Sequence, residues 1–313
     1  MHTYSKPALG LDARFAAIVD ADYPRFSAGE MARRRKLMAD AMAAAGVDHL
    51  VAYAAFFRGG PVHWLSDWLT TYEAVLVFTP GRKDTIFVQF YNHMPQARAV
   101  MPDADMRWGG VSTLQSVAAE LKARGAKPKR VGAAGMLPMG YFKALSGAFE
   151  DVTDLNPAYG RLRLVKSREE IDWYRIAARL SDLPIEALRR ELRPGLDERD
   201  LGAITEAAYV PWRGSNIIHF FSSTSMGAPD VFVPRQHLTA RKIAKGDVIS
   251  CEITASFWEH WGQVLRTFTV GEGFTPEYRM LHETAEAAYD AILGVLRPGI
   301  SARELAIGMR VIE

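Results

Sequence analysis

IDWYRIAARLSDLPIEALRRELRPGLDERDLGAITEAAY, residues 171–209, returns 104 positions later as TPEYRMLHETAEAAYDAILGVLRPGISARELAIGMRVIE, residues 275–313. Leu192-Arg193-Pro194-Gly195 recurs as Leu296-Arg297-Pro298-Gly299, and Tyr174-Arg175 as Tyr278-Arg279. Ala187, Arg199 and Leu201 recur as Ala291, Arg303 and Leu305. Each copy reads as an amphipathic helix, a break and a second helix. Proline cannot continue a helix, and glycine tolerates the positive φ that closes one. The restart is also shared, since Asp197 with Asp200 and Ser301 with Glu304 each set a capping side chain three residues before an acid. The first copy leads into a strand-rich stretch, roughly 215–270, and a second such stretch would lie past Glu313. The pattern predicts a pseudo-symmetric domain that lacks its final part.

Working outward, 313 residues exceed what one core usually organises, so two domains are expected. Apolar content of 49% and charged content of 24% are those of an ordinary globular protein. A net charge of +2 offers no polybasic or polyacidic face for nucleic acid or a membrane surface. One cysteine, Cys251, rules out an intrachain disulfide framework. The start, MHTYSKPALGLDARF, has neither the basic residues nor the apolar run of a secretion signal, and no apolar stretch is long enough to span a bilayer. A cytoplasmic protein is expected.

Residues 1–158 read as an α/β domain. Ser27 with Glu30 opens a helix to about Ala45, followed by apolar stretches at 49–56, 73–79 and 84–90, the last two joined as a hairpin across Pro80-Gly81. Ser112 precedes a helix over 113–124, 130–135 reads as a strand and 138–148 as a short helix. Nothing in this half gathers acids, histidines or glycines into a site, and its glycine pairs lack dinucleotide-binding spacing. The join falls around Asn156-Pro157-Ala158-Tyr159-Gly160. The second domain, 159–313, then holds helices over 168–192 and 197–210 and a loop-rich stretch over 213–236. Paired strands over 248–257 and 263–270 and helices over 277–296 and 301–312 complete it.

RLRLVKSREEIDWYRIAARL (161–180), LRPGLDERDL (192–201) and LTARKIAKGDVISCEITASFWEHWGQVLRTFTVGE (238–272) together resemble the creatinase/aminopeptidase P/prolidase superfamily. The resemblance covers nearly the whole chain and lies in the order of its signals. Lys166-Ser167 with Glu170-Ile171 opens the domain, Pro194-Gly195 follows, Gly246-Asp247 precedes a strand and Arg266-Thr267-Phe268 ends its partner. It implies an α/β N-terminal domain plus an α+β pita-bread C-terminal domain of the creatinase/methionine aminopeptidase type, here incomplete at its end.

In the metallopeptidases of that superfamily, two aspartates eleven positions apart on paired strands hold two divalent metals, completed by a histidine and two glutamates nearer the C-terminus. Counted back from Arg266-Thr267-Phe268, those aspartate positions are Glu252 and Gln263 here. A carboxylate supplies the negative charge that hard divalent ions need, whereas a glutamine offers one neutral carbonyl oxygen. No metal and no cofactor is therefore expected. Without the resemblance, Glu252 and Gln263 read as facing polar residues on a hairpin.

Creatinase works without metal, through a histidine on the loop before the Gly-Asp turn. That position is Arg235 here, with His237 two residues later, and a slide of the loop by two would restore the histidine. His237 carries a side chain suited to acid/base work near neutral pH. His219, set among Ile217, Ile218, Phe220 and Phe221, is either a core histidine or the catalytic one. Arg266 could pair with Glu252 or hold a substrate carboxylate. Trp258 and Trp261 could stack on a planar or cationic substrate, or pack the hairpin tip against a neighbouring domain or subunit. Cys251 alternates away from Glu252 and reads as a small buried hydrophobe.

The expected function is hydrolysis of a C–N bond in a small amino-acid-like or short-peptide substrate, without metal, by a homodimer. His237 or His219 would serve as acid/base, Glu252 as the orienting or proton-accepting carboxylate, and Arg266, Gln263, Arg235 and the two tryptophans as substrate contacts. A metal-dependent Xaa-Pro aminopeptidase or dipeptidase and a non-catalytic binding module stand as alternatives. The expected incompleteness also predicts a chain inactive on its own, with Leu281, Ala285, Ala288, Ile292 and Leu296 forming an uncovered helix face.

Overall fold

A computed structural model describes residues 8–56 and 58–308. In chain order the helices are α1 (Ala13–Asp20), α2 (Ala28–Ala44), α3 (Gly60–Ser66), α4 (Met94–Val100), α5 (Thr113–Ala123), α6 (Met139–Phe149), α7 (Asn156–Leu162), α8 (Arg168–Glu191), α9 (Glu198–Tyr209), α10 (Pro276–Val295) and α11 (Ala302–Gly308). The strands are β1 (His49–Ala55), β2 (Glu73–Phe78), β3 (Thr85–Val88), β4 (Asp105–Trp108), β5 (Val131–Ala134), β6 (Thr153–Asp154), β7 (Ser215–Ser225), β8 (Asp247–Phe257) and β9 (His260–Thr269). The chain divides into two compact units, one of 10–176 with Phe257–His260 and one of 177–256 and 261–308 with Ala8 and Leu9. The division falls inside α8, and the join at 156–160 is itself the short helix α7. Residues 309–312 of the last expected helix lie outside the described residues.

In the N-terminal unit six strands form a mixed sheet in the order β4-β3-β2-β1-β5-β6. β2 and β3 are antiparallel across the Pro80-Gly81 turn, with Ala74 opposite Val88, while β1 pairs β5 in parallel. Two clusters cover its two faces. Leu50, Ala52, Leu76 and Ile86 pack with Met38, Met42, Leu65 and Met94 on one side, and Val51, Val75, Val77 and Phe87 with Val117, Leu121 and Leu145 on the other. Burial on both faces explains why these strands read as continuous apolar runs and not as alternations.

In the C-terminal unit a three-stranded sheet, β7-β8-β9, packs one face on α8 and α9. Its core holds Phe221, Ile249, Cys251, Ile253 and Val264 with Ile185, Leu188 and Leu201. Cys251 is buried and free, as expected. β7 corrects the sequence reading, which made 213–236 loop-rich. Its residues Ser215–Ser225 hide a strand because the face away from the helices carries hydroxyls, so the apolar alternation is faint.

The duplication is visible at the level of elements. Both breaks put their glycine in the left-handed region, Gly195 at φ +95° and Gly299 at φ +86°. Both restarts form reciprocal caps: the N–H of Asp197 and of Ser301 donates to Asp200 and Glu304, whose own N–H groups donate back. α10 buries none of its residues, and Leu281, Leu293 and Leu296 are more than half exposed.

Candidate active site

The face of the C-terminal sheet turned from α8 and α9 is polar. Antiparallel register sets Phe220 opposite Glu252, Ser222 opposite Ser250 and Thr224 opposite Val248, so these side chains share one face. Glu252 and Gln263 meet on it. The Gln263 amide donates to Glu252 Oε1 at 2.8 Å and to Thr254 Oγ1 at 3.1 Å. Both amide protons are thereby used. The carboxylate fixes the orientation, since a flipped amide would set oxygen against oxygen.

That pairing bears on whether the two positions could bridge a pair of metal ions. Two hard cations need bridging carboxylates, but here one of the two positions presents N–H to the other. Among the described residues, no three or more His, Cys, Asp or Glu side chains gather as a ligand group. Glu252 and Gln263, as a pair, do not fit the two bridging carboxylates of a dinuclear site.

The same period-two geometry separates other expected partners. His219 lies opposite Ile253, on the helix-covered face, so Glu252 and His219 point to opposite sides of the sheet. Arg266 alternates with Gln263 and shares the side of Val264 and Phe268. It is exposed, its Nη1 donates to the Leu265 carbonyl at 2.7 Å, and it does not pair with Glu252.

His219 is brought instead to an open groove that it lines with His237, Glu206, Asn216 and Arg199. Its Nε2 is 2.9 Å from the Tyr209 hydroxyl and its Nδ1 3.5 Å from Glu206 Oε1. The carboxylate favours the proton on Nδ1, leaving Nε2 to accept from the tyrosine O–H. Burial holds this imidazole below its ordinary pKa, against the opposing pull of Glu206, and so keeps it neutral. His237 stands exposed on the same groove.

Arg235 is tethered. Its N–H donates to the Phe221 carbonyl at 2.8 Å, and its guanidinium reaches Glu198 at 3.0 Å. Glu198 is fully buried and also accepts from the N–H and Oγ of Ser223 and of Thr239. Burial alone would raise this carboxyl, but the donors and the Arg235 charge bring it below its usual value. Glu198 is thus the anchor for the loop carrying Arg235 and His237. In LDERDL it looks like one more first-turn acid, because its partners lie 25 to 41 residues away.

The tryptophans part company at the hairpin tip. Trp258 and Glu259 adopt φ +43° and +66°, the two left-handed positions of a tight hairpin turn. Phe257–His260 belong to the N-terminal unit, where the half-buried Trp258 meets Tyr23 edge-on at 4.9 Å between ring centroids. Trp258 is therefore packed and does not offer a free stacking surface. Trp261 lies in the C-terminal unit, 47% exposed.

One element went unread. Between α10 and the polar face lies a cleft of about 260 Å³, lined by the hydroxyls of Ser222, Thr224, Ser250 and Thr267 and by His282. His282 Nε2 is 3.3 Å from Glu286 Oε1, one turn along the helix. The spacing of His282 and Glu286 was the only local signal, and it is common on solvated helices.

Residues 172–312 match the metallopeptidase family M24. The chain is 27% identical to a probable dipeptidase PepE of Mycobacterium tuberculosis over 154 residues, 48% of this chain and 39% of that protein. It is 23% identical to an Xaa-Pro dipeptidase of Pyrococcus horikoshii over 179 residues, 56% and 50% of the two. Its fold superposes on the Xaa-Pro dipeptidase from Bacillus anthracis with a TM-score of 0.71 at 17% identity, covering 90% of this chain and 76% of that one. These likenesses support the resemblance to the creatinase/aminopeptidase P/prolidase superfamily. The chain spans about two fifths of the length of the mycobacterial relative. By that resemblance the Glu252–Gln263 pair stands at the positions expected of two aspartates in the metallopeptidases. Among the described residues, no helix is long and apolar enough to cross a membrane.

Proposed function

We propose that this chain carries a hydrolase site for C–N bonds in short peptides or amino-acid-like molecules, on the polar sheet face, working without a dinuclear metal. The hydrogen bond from Gln263 to Glu252 is the observation that supports it most directly. Glu252 would take a proton from water as the water oxygen bonds to the electrophilic carbon. The C–N bond then breaks, and the nitrogen leaves with a proton from an acid on the same face. His282, which lines the adjoining cleft with Tyr278, would supply that proton, a role expected at first of His237 or His219. Ser222, Thr224, Ser250 and Thr267 would bind the polar backbone of the substrate. A homodimer is part of the same reading, since a second copy would cover the exposed apolar residues of α10.

The metal-dependent Xaa-Pro peptidase remains the second reading, favoured by the M24 match and by the names of the relatives. A chelator separates the two. Turnover of a panel of dipeptides, Xaa-Pro included, and of acylated and amidino amino acids is expected to be unchanged in EDTA. Glu252→Gln is expected to lower kcat by about 100-fold or more, the scale of a lost general base. Turnover abolished by EDTA and restored by Mn²⁺ or Co²⁺ would establish the peptidase. No turnover of any substrate would count against the hydrolase reading of this chain and fits either a binding module or the inactive chain that the sequence pattern predicts.

A further inference from the structure

The N-terminal unit contains a cleft of about 530 Å³, within the range of about 300–1,000 Å³ of small-molecule sites. Phe26, Met31, Leu65 and Met101 are among its apolar lining, and two opposite charges that form no direct ion pair, Asp67 and Arg25, also line it. Asp67, only 4% exposed, accepts the Phe26 N–H on Oδ2 at 3.3 Å, while its Oδ1 has no hydrogen-bond partner. Arg25 is steadied by the Tyr23 ring, 4.9 Å from the centroid, and by Met101 Sδ at 3.5 Å, and makes no ion pair or hydrogen bond to a carboxylate among the described residues. Lys83 and Asp103, both exposed, also line the cleft. The remaining pair, Arg35 with Asp84, is closed on itself by two hydrogen bonds of 2.5 and 2.9 Å.

A carboxylate with one unsatisfied oxygen and a guanidinium with no carboxylate in hydrogen-bond reach, both lining one cavity, suit a ligand that carries an ammonium and a carboxylate. We propose that this cleft binds a small zwitterion with an apolar side chain, of the α-amino acid class, its ammonium on Asp67, its carboxylate on Arg25 and its side chain on the Phe26–Met31–Leu65–Met101 lining. The proposal rests on these residues and not on the hydrolase reading. Asp67 adds a signature. Burial pushes its carboxyl up to about 7, against the lowering effects of Arg34, the Phe26 N–H and Arg25, with Glu169 acting to raise it. Tyr23 also faces it, donating to the Asp67 carbonyl at 2.9 Å. An ammonium favours the ionised carboxylate, so binding below pH 7 expels a proton and affinity rises from pH 6 to pH 8.

Isothermal titration of the full chain with L-leucine tests this, beside 4-methylpentanoate, which lacks the ammonium, and isoamylamine, which lacks the carboxylate. Leucine is expected to bind at least about tenfold more tightly than either analogue and to release protons at pH 6. Asp67→Asn keeps the acceptor for Phe26 and is expected to weaken leucine about tenfold or more and to abolish the proton release. Arg25→Ala, an exposed position that leaves folding intact, is expected to weaken it comparably. No binding of leucine at millimolar concentration overturns the proposal. So does equal binding of either analogue, or an Asp67→Asn or Arg25→Ala protein that binds as the parent does.

Discussion

Asp247 illustrates how one side chain holds the turn that leads into the site. Its carboxylate receives both Nη groups of Arg241, at 2.5 and 2.9 Å, and the Ala244 N–H at 2.8 Å, and it is 2% exposed. Burial would raise this carboxyl, but the Arg241 and Ala244 hydrogen bonds bring it below its ordinary value. A carboxyl lowered in the folded state stabilises fully above the unfolded value near 4, and that share is lost as pH falls through the lower folded one. Asp247→Asn is expected to cost about 2–3 kcal/mol at pH 7, the scale of charged hydrogen bonds, with the gap to the parent closing below about pH 4. Urea unfolding of both proteins across that range measures it. A gap independent of pH would mean that the loss is one of shape and not of charge. Gly246-Asp247 was legible as a motif. Arg241 as its partner was not, because sequence order does not show which nearby cation folds back. Glu252 and Gln263 were legible as a facing pair, whereas the separation of His219 and Arg266 from them needed the register of the strands.

Elements were read best where backbone chemistry is local. The caps at Ser27, Ser112, Asp197 and Ser301 all form as their spacing predicts. β7 was hidden by hydroxyls, and the tip at Trp258-Glu259 carries none of the Asn or Gly residues that announce a tight turn. What holds the hairpin to α8 is a contact without side-chain bulk. The Ser181 hydroxyl donates to the Gly262 carbonyl at 2.5 Å and accepts the Ala255 N–H at 3.0 Å. A Cβ on Gly262 would fall 2.3 Å from the Ala177 oxygen, and backbone cannot yield as a flexible side chain does. Gly262→Ala is therefore expected to destabilise by about 3 kcal/mol, the upper end of overpacking costs. A urea midpoint equivalent to within about 0.5 kcal/mol of the parent would show that strand and helix do not approach so closely.

At the scale of the whole molecule, an internal repeat and an ordered series of signals were enough to show the resemblance that the comparisons support, because symmetry and hydrophobic patterning are written along the chain. The chemistry was less legible, since it depends on which face of a sheet each side chain takes. Glu252 and Gln263 keep the spacing of a metal-binding pair while the amide protons of one satisfy the carboxylate of the other. Fold and mechanism thus part company: the fold is shared with Xaa-Pro dipeptidases, and the proposed site is a hydrogen-bonded pair. The most direct test is elemental analysis of protein purified without chelator and dialysed against Mn²⁺, Co²⁺ or Zn²⁺. The expected result is far below one metal ion per chain; one or more per chain would contradict the account.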